Sequence, residues 1–576
     1  MDSEVPDPTM ADTVKVPLVS EAVRPGPRPV KALAGWLYTS NPFYAVSAAL
    51  IFAGLRISFS SHGETSSPWG LAGGLSAYAM LLAASSYVLV RLGKVWDDVR
   101  SLLLLTVLVL IALSLSFDEY LIENFREGVL LNVASLAFAA GVSEFLLRGL
   151  SIRLPAIFRL PYYLLLAIFF VYPAVIARCH FEPGTDRLHW AFFGFPLAAA
   201  LAMLALLPAA RSGKSRTADN GTPWSWPWFP WPLFAVLGLC ACGRAYSICV
   251  SLDFIGGSAS AFGLYFLVPL CLAAALLFVE VGLQTPNRRA TTIGMALAAA
   301  APLLAASHRA DVVYQGFLTA FHAALGGTPL FVTLCLVSLF YLLAAIRRVR
   351  LAVDCLTVCI ALLSLVNRDA LTVDWLSPPA VLPLFAAAAI QLAAAIVRSS
   401  SPRALLAGAM GVLAFAIQFR LTTLDVMTVP MHLLLLVLLA TAVAFNDRFA
   451  RFLRSVGAIA IGAVALWAVG DPRWLLGDWA AQCSWWYPLA WLAAAAAYGW
   501  MLNSRTYYHA AVLIALAWSG DHGLRLYQQL RVHVAGLDLL TGGLLFFAFG
   551  LLVSLSKAGV AVRAWVHRIP ALLRAR

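Results

Sequence analysis

Apolar residues run along the chain in blocks of roughly membrane-crossing length, separated by short polar connections. A helix needs about 20 predominantly apolar residues to cross the hydrocarbon core, within a range near 17–25. Nine blocks lie at 41–59, 72–92, 100–117, 128–148, 160–178, 190–208, 232–252, 261–283 and 290–307. Nine more lie at 329–346, 351–366, 379–397, 404–420, 430–446, 456–470, 485–502, 507–519 and 537–556. Several later blocks are short, notably 456–470 and 507–519. In lipid every backbone polar group must be satisfied within the segment, so each block predicts an α-helix. The pattern therefore predicts an all-α integral membrane protein of about 18 transmembrane helices. Val312–Leu325 is too short to cross and predicts an interfacial or re-entrant helix.

The ends differ from this transmembrane domain, 41–556. Residues 1–40 are Pro-rich, with scattered acids and bases and no apolar core leading to a small-residue cleavage site. They predict a disordered tail rather than a signal peptide. Residues 557–576 form a basic C-terminal tail.

Charge assigns the sides. Taking the tails and connections alternately from the N-terminus, 29 of the 40 Lys and Arg residues fall on one side and nine on the other; Arg56 and Arg244 lie within spans. Positive residues concentrate in cytoplasmic loops. Both termini are thus expected in the cytoplasm, the number of spans is even, and the location is the plasma (inner) membrane. Sixteen of the 28 acids fall on the outer side. The net charge of +12 then reflects insertion and calls for no acidic partner.

Composition narrows the class. Hydrophobic residues make up 61% of the 576 and charged residues 12%, with a mean hydropathy of +0.84. Soluble domains carry about 25% charged residues, so a soluble enzyme, a disordered protein and a nucleic-acid-binding domain are excluded. Arg outnumbers Lys 35 to 5, a bias that suits a GC-rich bacterial genome. The nine Cys show no paired C-x-x-C spacing, and no His pair has the spacing of a metal site. No cofactor or metal is expected.

A repeat runs through the blocks. Arg56, Arg126, Arg187, Arg244, Arg309, Arg368, Arg420, Arg473 and Arg525 each lie near the outer end of an odd-numbered span, the last four 52 or 53 residues apart. Nine two-helix hairpins, each with an Arg and an acid at its outer turn, account for that period. Arg at a span's end snorkels to the interface, where a neighbouring acid offsets its charge. A functional role would make Arg244, Arg56, Arg309, Arg368, Arg420, Arg473 and Arg525 a substrate-binding set for an anionic group. Arg244 is the deepest charge, and an ionised group there costs about 2.5–3.5 kcal/mol on insertion scales. It must face a partner, such as the outer acid Asp253, or a wet cavity.

Two further features carry chemistry. Glu119, Glu123, His180, Glu182, Asp186 and His189 form an outer set of acids and His, suited to general acid–base work beside a phosphate. The run Pro223-Trp-Ser-Trp-Pro-Trp-Phe-Pro-Trp-Pro232 reads as an interfacial anchor before the seventh span. No acid falls at the middle of a span, so no proton relay is apparent. The expectation is a transporter or flippase-like protein for an anionic or lipid-linked substrate, with the bilayer and no nucleic acid as its surroundings. A transferase acting on a lipid-linked substrate at the outer face, and a non-catalytic scaffold subunit, are the alternatives.

Overall fold

The computed structural model describes residues 46–54 in part, and residues 68–557 apart from 182–184, 252–261, 286, 307–311, 369–377, 422–427, 471–485 and 535. The structure is 86% helix, with no β-strand among the described residues. Eleven described stretches are long and apolar enough to cross a membrane, from Trp69–Arg91 to Arg448–Gly470, and three shorter apolar helices accompany them. The architecture is that of a polytopic helical membrane protein.

The chain divides into two compact units, 1–324 and 325–576. In the first, the helices are α1 (Pro68–Arg91), α2 (Trp96–Leu115), α3 (Asp118–Glu123), α4 (Phe125–Gly149), α5 (Ala156–Phe181), α6 (Thr185–Leu204), α7 (Leu207–Arg216), α8 (Trp231–Ser251), α9 (Val268–Gln284), α10 (Arg288–Ala305) and α11 (Val312–Leu325). The second holds α12 (Pro329–Ile346), α13 (Ala352–Leu363), α14 (Val381–Arg398), α15 (Ser401–Gln418), α16 (Thr428–Ala444), α17 (Arg448–Gly470), α18 (Trp486–Leu502), α19 (Arg505–His533) and α20 (Leu537–Lys557).

Two short apolar blocks belong to longer helices. Block 456–470 is the end of α17, whose first turns extend back to Arg448 because Ala450, Leu453 and Gly457 form a buried face while Arg448 and Arg451 stay exposed. Block 507–519 lies inside the 29-residue α19. There the i,i+4 pair of Asp521 and Arg525, at 2.8 Å, carries polar residues along the helix surface.

The closest-packed consecutive helices are α1 with α2, α9 with α10, α12 with α13, α14 with α15 and α18 with α19. Each of these pairs is joined by a turn of the alternate set expected on the inner side, although the turn between α18 and α19, with Arg505 alone, departs from the charge alternation. Short turns hold the helices together, and small residues let their backbones approach. A Cβ on Gly294 of α10 would stand 2.7 Å from the carbonyl oxygen of Ala275 on α9. Asn287 caps the start of α10, its side-chain oxygen accepting from the amide of Arg289 at 3.0 Å.

Candidate functional site

The aromatic and proline residues before α8 fold onto the protein. Asn220 organises the approach: its side-chain nitrogen donates to the Trp224 carbonyl at 2.8 Å, and its oxygen accepts from the Thr222 amide at 2.7 Å. The Arg153 amide donates to the Asn220 carbonyl at 2.9 Å, and the Arg153 guanidinium pairs with Asp219 at 2.5 Å. These bonds tie the segment to the turn between α4 and α5. Gly221 fits there with φ +74°, where a Cβ would stand 2.2 Å from the Ser151 carbonyl oxygen. The rings then pack edge to face, Trp224 on Trp96 at 5.5 Å and Trp231 on Phe158 at 6.2 Å between centroids.

Beneath this cap lies a cavity of about 120 Å³, walled by α2, α4, α5 and the cap itself. Leu103, Val107 and Leu110 of α2, Leu146 of α4, and Trp228 and Phe229 of the cap are among its apolar lining. Thr106, Ser143 and Tyr162 also line it, but their hydroxyls are spent on the protein. Thr106 donates to the Leu102 carbonyl at 2.8 Å and Ser143 to the Ala139 carbonyl at 2.7 Å, leaving Tyr162 to donate to the Ser143 oxygen at 2.7 Å. The wall therefore offers an incoming molecule hydrocarbon contact and few hydrogen bonds. A dry apolar cavity of about 150 Å³ accepts a molecule of benzene's size. The lining contains one charge: Arg100, whose guanidinium lies 5.1 Å from the centroid of the exposed Trp228 ring.

Arg244 occupies a different place. It does not line the cavity. One guanidinium nitrogen donates to Asp118 Oδ1 at 2.7 Å and to the Ser114 carbonyl at 3.1 Å, while the other donates to Asp118 Oδ2. The two side chains are 1% and 2% exposed. The cause is local. Helix α2 ends at Leu115, leaving the Ser114 carbonyl without a partner further along the helix, and Asp118 opens α3 three residues on. The guanidinium closes that helix end and neutralises the acid in one bidentate contact. The partner is thus Asp118, while Asp253 lies outside the described residues.

The other described arginines of the repeat stand in different settings. Arg368 donates its Nε to the Gly326 carbonyl at 2.8 Å, Arg525 pairs with Asp521, and Arg420 is exposed just beyond α15. Arg56, Arg309 and Arg473 lie outside the described residues. Of the outer acids and His, Glu123 is exposed on α3, whereas His189 is buried and stacked on Phe317 of α11 at 5.8 Å. Glu119, His180 and Asp186 fall in helices whose description stops at the backbone there, and Glu182 lies outside the described residues. Helix α11 forms at the span expected of it, with Phe317 and Phe321 buried.

Among the described residues no group of His, Cys, Asp or Glu converges as a metal site. No family model, curated protein or solved structure matches the chain. Sequence reasoning missed Arg100, Thr106, Ser143 and Tyr162. Their signal was the density of Trp and Pro in 223–232, which marks a segment able to cover something.

Proposed function

We propose that this protein binds an amphiphile inside the membrane and moves it, as a transporter or flippase-like protein for an anionic or lipid-linked substrate. One observation carries the reading: an apolar cavity, capped by the tryptophan and proline segment, whose lining includes a single cation. Such a lining suits a hydrocarbon chain, and Arg100 suits the phosphate or carboxylate attached to it. The scaffold alternative has no use for this cavity. In this reading Arg244 is structural, because its donors to Asp118 and Ser114 are already spent. The chain then crosses as about 18 helices, paired as nine hairpins whose outer turns carry the remaining repeat arginines, with both termini in the cytoplasm of a bacterial inner membrane.

The test is translocation of a fluorescent phosphatidylglycerol across vesicles containing the purified protein. Acceleration over protein-free vesicles is expected. It should fall at least about tenfold in Leu110→Trp, which fills the cavity at a packing cost of about 1–3 kcal/mol. Thermal unfolding would show that this variant remains folded. No acceleration by the unmodified protein would overturn the proposal.

A further inference from the structure

The second unit carries a charged edge unrelated to the cavity. Three connections lie at the same end of its helices: 347–351 between α12 and α13, 399–400 between α14 and α15, and 445–447 between α16 and α17. Together with the first turns of the helices that follow, they contain two acids, Asp354 and Asp447. Both are committed inward. Asp354 accepts from Arg403 at 2.7 Å and from the buried Gln391 amide at 3.4 Å. Asp447 accepts from the Ser401 amide at 3.0 Å and the Ala450 amide at 2.7 Å, and also from the Ser401 hydroxyl. The first carboxylate ties the start of α13 to the start of α15, and the second ties the start of α15 to the start of α17. The three connections are therefore held side by side.

What remains outward is arginine. Arg348, Arg350, Arg398, Arg448 and Arg451 are all exposed. They form no ion pair among the described residues. Exposed apolar side chains stand directly beside three of them in the chain: Leu351, Val397 and Phe452. Cation beside hydrocarbon is the chemistry of the boundary between lipid headgroups and acyl chains.

The geometry points to a fixed row of phosphate sites for anionic lipid headgroups along these three connections. Membrane insertion alone asks only for positive charge on one side, which Lys supplies as well as Arg. The whole chain favours Arg over Lys, 35 to 5, and this unit has no Lys before Lys557, so the row's chemistry is that of the guanidinium alone. The guanidinium presents a planar fork of donors matched to two phosphate oxygens, which an ammonium does not. The two local carboxylates that could neutralise the row are held within the ties that fix its shape. The flanking apolar residues favour a phosphate attached to acyl chains over a free one. The inference is independent of the cavity: it requires only that this unit sits in a bilayer.

The experiment uses the full-length protein in neutral detergent, with native mass spectrometry counting bound phosphatidylglycerol. Phosphatidylcholine and inorganic phosphate form separate arms. Retention of phosphatidylglycerol over phosphatidylcholine is expected, with little binding of inorganic phosphate. In R348Q/R350Q/R398Q that retention should fall about tenfold or more. It should fall less in R348K/R350K/R398K, which preserves the charge and loses the fork. R448Q/R451Q, changed on a different connection, gives a second reading if the first variant is unstable. Equal retention of the two lipids, or undiminished phosphatidylglycerol binding by the folded Gln variants, would overturn the inference. So would inorganic phosphate bound as tightly as the lipid. Lipid selectivity without translocation would count against the transport proposal alone, and the reverse against this row alone.

Discussion

The Arg244–Asp118 contact shows how one residue's burial is legible in sequence while its partner is not. A lone charge twelve residues into an apolar block must be neutralised, and the chain says so. The nearest outer acid in sequence is Asp253, yet the acid that meets it is 126 residues away, brought in where α2 breaks and α3 begins. Asp118→Ala strands the guanidinium and should cost about 3–5 kcal/mol, whereas Asp118→Leu with Arg244→Met should be close to neutral. Unfolding in detergent measures both. A single variant as stable as the parent would contradict the buried pair. Asp447 makes a separate prediction. Its hydrogen bonds, first from the Ser401 hydroxyl and next from the Ala450 amide, hold its carboxyl below the ordinary range. Its contribution to stability is then complete above about pH 4, the unfolded value, and is lost as pH falls through the lower folded value. Asp447→Ala should cost about 1 kcal/mol at neutral pH, as removal of a helix cap does. The difference from the parent should shrink in acid, and a difference independent of pH would count against the assignment.

Elements were easier to read than their associations. Apolar blocks gave the helices because lipid admits few alternatives for the backbone. The blocks near 460 and 510 came out short because hydropathy ignores amphipathic turns, such as the one over Ala450 and Leu453 that extends α17. The Arg period of 52 or 53 residues marks one set of turns, but tight packing follows the alternate set, where connections such as Ser399–Ser400 leave the helices little room to part. The cap illustrates the same limit. Its Trp and Pro were visible, but its seating depends on Asn220, Arg153 and the left-handed Gly221, which are ordinary in sequence. Gly221→Ala introduces a Cβ against the Ser151 carbonyl in a backbone conformation unfavourable to Ala. Limited proteolysis should then cut 217–230 faster while the helices remain protected. An unchanged rate would mean that the cap is not seated through this glycine.

At the scale of the molecule, two helical units carry their polar chemistry in different forms. In the first, an apolar cavity includes Arg100 in its lining and lies under an aromatic cap. In the second, two carboxylates tie three connections and leave a row of arginines outside. The arginine repeat drew attention to the outer turns. Arg244, Arg368 and Arg525 of that repeat bond within the protein, and the site with space for a ligand lies at the other end of the first unit's helices. Composition could show that the protein belongs in lipid, but space between helices arises from packing and leaves little trace in hydropathy. The central claim is that this space receives the chain of an anionic amphiphile. Its most direct test is photocrosslinking in membranes with a phosphatidic acid bearing a diazirine on its chain, followed by peptide mapping. Labelling is expected to concentrate on Leu103–Leu110, Leu146–Leu147 and Trp224–Leu233, and to be lost there in Leu110→Trp. Labelling spread evenly over the exposed apolar helix faces, and unchanged by Leu110→Trp, would contradict it.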